Sequence, residues 1–215
     1  MPGAGLVNGT RWYAPTMDLY DDLEELRGMT RLLIDDVNLL RPKLGEGNPD
    51  PSDEEKANRR FYVRAVFALV EAFVEQHRRL LVHLSEFGKI TLPENRLNKL
   101  REIKKILDEN GTVVGEEANH MRAHEKIKEV YNAAAIGFDE PLTVTFGNER
   151  WPQFREAMNI RHQITHPKNV NDCWIFEQDI QKVIAAHEWF KSLQNDFVRI
   201  ARLHREKNCE NPYSW

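Results

Sequence analysis

The feature that most constrains this chain is the amphipathic run from Ser52 to about Phe87. Ser52-Asp53-Glu54-Glu55 has the form of a capping box, in which Ser and Glu satisfy each other's exposed backbone donors and start a helix. Behind it Tyr62, Val63, Val66, Leu69, Val70, Phe73, Val74, His77, Leu80, Leu81 and Leu84 recur at three- and four-residue steps. The spacing predicts one helix of roughly 50 Å, at about 1.5 Å per residue. Phe61, Ala65, Ala68 and Ala72 add apolar surface on the reverse side. A helix apolar on two sides is central, or lies between its own core and a partner chain.

The same periodicity places further helices. One is expected from Asp18 to about Leu40, ended by the Pro- and Gly-dense RPKLGEGNPDPS. A shorter one near 94–109 uses Leu97, Leu100, Ile103, Ile106 and Leu107 and stops at Asn110-Gly111. Another spans about 116–135. PLTVTF at 141–146 reads as a brief extended stretch with no strand partner in view. Glu149 to Thr165 reads as a helix ended by Pro167, and the last helix runs from about Glu177 to Arg205. The expected fold class is all-α, an antiparallel helical bundle with a long central helix. Residues 1–16 are expected to form an irregular arm, and 17–215 a single helical domain.

Charge narrows the partners. Lys+Arg 30 against Asp+Glu 34 leaves a net charge of −4, which opposes broad coating of nucleic acid but not a local basic site. Cys173 and Cys209 are the two cysteines and lack CxxC or zinc-type spacing, the pattern of a reduced intracellular setting. No apolar run approaches the roughly 20 residues of a membrane helix, and the N-terminal segment lacks the features of a secretory signal. The expected location is cytoplasmic.

Residues 151–168, WPQFREAMNIRHQITHPK, break the ordinary helix pattern. On a helical wheel Phe154 and Met158 fall just to one side of Arg161, and Ala157 and Ile164 just to the other. Arg161 is therefore expected in the middle of the apolar face. Burying an unpaired guanidinium costs several kcal/mol, so either an acid meets it or the face borders a wet cleft. Arg155, His162 and His166 fall together along one flank of that face, a polar stripe with no carboxylate beside it, suited to a phosphate. His166 precedes Pro167, which ends the helix and frees the imidazole to move toward Arg161. Arginine brings permanent charge and forked donors, and histidine trades a proton near neutral pH. Together these are the parts needed for transesterification of RNA.

Arg161-His162-Gln163-Ile164-Thr165-His166-Pro167 resembles the motif of the HEPN superfamily: arginine, a polar residue, a few more positions, then histidine, commonly followed by proline. Trp151 and Phe154 ahead of it, the helix with Trp189-Phe190 after it, and RRFYVRAVFALVEAFVE at 59–75 are also similar to that layout. The similarity covers about residues 53–205. The resemblance implies a HEPN-like helical bundle that forms a homodimer, with two Arg/His sets at one cleft. It also implies metal-independent endoribonuclease activity without a cofactor, often in toxin–antitoxin or antiviral defence systems, with an antitoxin as partner. Arg161 would clamp the transition state, His166 transfer the proton and His162 orient or assist. Arg155, Asn159 and Lys168 are candidates for contact with RNA, and Glu71 for orienting Arg161. Some members of the family have lost activity, so a dimeric module that binds RNA, a nucleotide or a partner protein is the second expectation.

Other clusters carry less. Glu117, His120 and His124 would share one face of the helix expected over 116–135 as metal ligands, though a solvated face explains them better. His77 and His187, set in apolar stripes, are expected to be hydrogen-bonded core histidines. Glu71 and Glu75 with Arg64 and Arg78 read as exposed charge pairs along one helix.

Overall fold

A computed structural model describes residues 18–208. The arm expected over residues 1–16 lies outside the described residues, as does Cys209. The described chain is mostly helical, in the order α1 (Asp18–Leu40), a 3-10 turn (Arg41–Lys43), α2 (Asp53–Glu86), α3 (Glu94–Leu100), β1 (Ile103–Leu107), β2 (Val113–Ala118), α4 (Ala123–Gly137), α5 (Arg150–Thr165), a second 3-10 turn (Val170–Cys173) and α6 (Glu177–Asn208). None of these helices is long and apolar enough to cross a membrane.

The capping box at Ser52 is formed as expected. The Ser52 hydroxyl accepts from the Glu55 amide, and the Glu55 carboxylate accepts from the Ser52 amide. These bonds hold the Glu55 carboxyl below its usual range, with the Ser52 amide as the largest cause. The helix they start is central: α1, α3, α4, α5 and α6 all pack on α2. Tyr62, Val63, Val66 and Leu81 are fully buried within it. Each such side chain contributes about 1.5–3 kcal/mol. On the reverse side Ala72 is buried and Ala65 half-buried, whereas Phe61 is 53% exposed.

Residues 102–118 depart from the all-α expectation. The helix predicted over 94–109 ends at Leu100, because Glu102 adopts a left-handed φ of 56°. Ile103–Leu107 and Val113–Ala118 then pair as an antiparallel hairpin. Asn110-Gly111 lies in its turn rather than at a helix stop: Gly111 takes φ 78°, and Asp108 accepts from the amides of Asn110 and Thr112 at 2.9 and 2.8 Å. Ile103, Ile106 and Leu107 satisfy helical spacing, but β-branched runs flanking Asn-Gly also encode a hairpin, and that alternative wins. The helix expected from 116 therefore starts only at Ala123. PLTVTF forms no strand. Its Thr143 and Val144 amides instead donate to buried Asp196 at 2.6 and 3.0 Å.

Two buried polar groups organise the core in ways the sequence hid. Arg59, 2% exposed, donates to the carbonyls of Leu44 (2.9 Å), Gly45 (3.0 Å) and Ile175 (3.4 Å) and to Glu177 (2.7 Å). It joins the loop after α1 to the start of α6. His77 stacks on Phe197 with ring centroids 3.6 Å apart and meets Tyr131 edge-on. Its Nδ1 is buried without a hydrogen-bond partner, contrary to the expectation of a hydrogen-bonded core histidine.

Burial alone lowers the His77 pKa to about 3 from its ordinary 6.5, so the folded state resists a proton that the unfolded chain accepts. Stability from this group is complete above pH 6.5 and is lost as pH falls from 6.5 toward 3, at about 1.4 kcal/mol per pH unit. Burial pushes His187 and His83 down as well. Urea unfolding at pH 7 and pH 5 is expected to show marked acid destabilisation, with a shallower pH slope in His77→Leu. Equal slopes for the two proteins would refute this account.

Candidate functional site

The C-terminal half of α5 is held in place by aromatic packing at its other end. Trp151 and Phe154 stack with centroids 5.6 Å apart, and Phe154 also packs on Trp189 of α6 (5.0 Å) and Phe67 of α2 (5.9 Å). Ala157, Ile160 and Ile164 continue the buried side. Residues between these anchors face outward on a rigid helix, the arrangement that positions functional groups best.

Arg161 lies between buried Phe154 on one side and buried Ala157 and Ile164 on the other, as the wheel places it, but it is only partly buried. Its side chain is 33% exposed, and Nη2 lies 2.9 Å from Glu71 Oε1 of α2, itself 50% exposed. The expectation that no carboxylate neighbours the cationic stripe is thus corrected for Arg161. Glu71 reaches it from another helix, as a sequence candidate for orienting it should.

Neither Glu71 nor Arg64 makes the charge pair along α2 that their spacing offers. Arg64 sends Nη2 to the Ile164 carbonyl at 2.9 Å, placing a cation at the carbonyl end of α5, where the helix dipole favours it. Arg78 does pair with Glu75, at 2.8 and 2.6 Å, and Arg79 joins it at 2.9 Å. Burial pushes the Glu75 carboxyl up, but these guanidinium contacts outweigh it and hold it at about 2.

The chain leaves the helix at His166, whose φ of −128° and ψ of 60° are non-helical as the following proline demands. Its amide still donates to the His162 carbonyl at 3.0 Å, and the His162 and His166 rings stand 5.1 Å apart. Both side chains are exposed, as are Arg155, Asn159 and Lys168. The loop beyond is stiffened by Asp172, which accepts from the amides of Lys168 and Asn169 at 2.7 and 3.2 Å.

The structure therefore brings His162 and His166 together at the end of α5, with Arg161 on the adjoining edge and Arg64 closing the helix terminus. Arg64 escapes sequence reasoning as a member of this group because its partner, a backbone carbonyl 100 residues away, leaves no sequence pattern. The metal face considered for Glu117, His120 and His124 is not formed: Glu117 is in β2, His120 in the link and His124 in the first turn of α4. Among the described residues no group of three or more His, Cys, Asp or Glu side chains can hold a metal ion.

Two hollows flank this end of the molecule. One, of about 330 Å³, lies between α2, α4 and α5 and is lined by Glu71, Glu75, Lys126 and Met158. The other, of about 860 Å³, is lined by Arg59 and Arg60 of α2 and by Trp174 and Phe176 beyond the second 3-10 turn. Comparison with protein families, curated proteins and solved structures gives no match to this chain.

Proposed function

We propose that the protein is a metal-independent endoribonuclease of the HEPN type, with its site at the C-terminal end of α5. The observation that carries this reading is the exposed pair of imidazoles, 5.1 Å apart, at the end of the helix that carries Arg161, whose guanidinium is held, among the described residues, by Glu71 alone. Glu71 engages one nitrogen of Arg161, and a guanidinium has five N–H donors. The remaining fork is open to two phosphate oxygens.

In the proposed reaction His166 takes the proton from a ribose 2′-hydroxyl, and the 2′-oxygen attacks phosphorus. The bond to the 5′-oxygen breaks, and that oxygen takes up a proton as it leaves. The products are a 2′,3′-cyclic phosphate and a free 5′-hydroxyl. Arg161 holds the charge that gathers on the phosphorane oxygens, His162 orients or assists, and Glu71 keeps the guanidinium aimed between turnovers. Arg155, Asn159 and Lys168 contact flanking backbone. We further propose that the working form is a cytoplasmic homodimer with a HEPN-like bundle and two such sets at a shared cleft, acting as a toxin or defence effector opposed by an antitoxin.

The Arg161–Glu71 contact favours a second reading, in which the arginine merely ties α5 to α2 and the surface binds RNA, a nucleotide or a protein without cutting it. Magnitude weighs against the tie as sole purpose, because a pair this exposed contributes about 0–1 kcal/mol. The test is incubation of pure protein with structured RNA in excess chelator. Cleavage giving cyclic-phosphate ends, lost in the Arg161→Ala/His166→Ala double variant with its fold intact, supports the nuclease. Intact RNA under all conditions supports the binding module.

A further inference from the structure

Residues 174–176 alternate as an extended segment does. Ile175 is buried at 9% exposure, while Trp174 and Phe176 on either side are 57% and 55% exposed. This alternation is fixed from inside, because buried Arg59 donates to the Ile175 carbonyl and grips Glu177 at the start of α6. The two aromatic rings stand 6.4 Å apart over the 860 Å³ hollow, a volume within the range of ligand pockets. Exposed aromatics held rigidly beside a cavity offer π-faces at little entropic cost.

The opposite wall of the hollow is cationic. Arg60 lines it and, among the described residues, makes no ion pair or hydrogen bond. Lys56, one turn earlier on α2, lines it too and, among the described residues, is held only by Asp53 at 3.4 Å. Of the acidic groups there, Glu177 is neutralised by Arg59, which leaves Asp50 facing these two cations. Arg60 precedes Arg64 by one helical turn, and Arg64 touches the end of α5 beside the histidines. Arg60 and Arg64 thus follow one another along α2 from the hollow to the residue that meets the end of α5.

We infer that this hollow is a subsite for single-stranded RNA, stacking an unpaired base on Trp174 and Phe176 while Arg60 and Lys56 hold the adjacent phosphates. The inference rests on the reading of the Arg/His site as one that receives RNA. Aromatic faces and available cations select a base joined to an anion. A duplex, whose bases are already stacked, gains nothing from the aromatic wall. The nuclease so built prefers cuts beside unpaired nucleotides.

The test measures binding rather than cutting, using a short 2′-O-methyl RNA strand that has no attacking hydroxyl, with a 2′-O-methyl duplex as control. Trp174→Ala is expected to weaken single-strand binding at least fivefold, the fold-change of about 1 kcal/mol of stacking, with duplex binding unchanged. Trp174→Phe should restore most of the loss. Arg60→Gln should flatten the salt dependence by about 0.7 in slope, as expected for one phosphate contact to a single strand. Both Trp174 and Arg60 lie outside the core, so thermal midpoints should hold. Single-strand binding within twofold of the parent in Trp174→Ala, or no binding of single-stranded RNA at all, overturns the subsite. If the Trp174 effect appears but no RNA is ever cut, the subsite stands and the nuclease reading fails. If RNA is cut and the Trp174 effect is absent, the reverse holds.

Discussion

His166→Ala is expected to reduce RNA cleavage by about 10²–10⁴-fold, the usual contribution of a positioned proton-transfer group. Its thermal midpoint should stay close to the parent's. His166 is exposed, and only its backbone amide takes part in ending α5, so the imidazole can be removed without opening a cavity. Surface changes of this kind stay within about 0.5 kcal/mol. Arg161→Ala should cost a similar factor in rate and, by losing an exposed ion pair, at most about 1 kcal/mol in stability. Arg161→Lys should rescue little, because lysine replaces a planar fork with a point charge. Single-turnover cleavage at saturating protein, together with melting curves, separates the two effects. Full activity in His166→Ala would remove that residue from the chemistry. A fall in melting temperature that tracks the loss of activity would point to the structural role instead.

Arg59→Ala should be the most damaging single substitution to the fold, lowering stability by about 3–5 kcal/mol. It strips the partner from two carbonyls in the loop after α1 and one at Ile175, and leaves Glu177 without its counter-charge. Each orphaned buried acceptor costs about 1–3 kcal/mol. At about 2–4 °C per kcal/mol for a chain of this size, the midpoint should drop by roughly 6–20 °C. Arg59→Lys should recover a minority of the loss, since an ammonium cannot span acceptors on both loops. A drop below about 2 °C in Arg59→Ala, less than 1 kcal/mol on the same scale, would show that water replaces the guanidinium at these carbonyls.

The helices are legible in the sequence because a period of 3.6 repeated over many turns leaves few alternatives. α1 begins and ends where the apolar spacing and the Pro/Gly run place it, and the Ser52 cap starts α2. The hairpin is not legible because residues 103–107 satisfy two periods at once, and five residues are too few to separate them. Arg59 and Asp196 are invisible for a different reason. A charged residue on an amphipathic helix reads as solvent-facing, and what buries these two is backbone from distant loops, at Leu44, Ile175 and Thr143. At the candidate site the local motif places the exposed imidazoles and the helix end. Glu71 is legible only as a candidate for orienting Arg161, and Arg64 not at all, because both contacts depend on how α2 crosses α5, which no single segment encodes.

The hairpin leaves and rejoins the helices at nearly one point, since the Asn119 amide donates to the Glu102 carbonyl at 2.8 Å, and its main packing outside itself is on α3. Such an excursion is a detachable appendage. Lengthening, trimming or replacing it would leave the register of the surrounding helices intact, so this is where a lineage can vary chain length at least risk, and where a tag or reporter can be grafted.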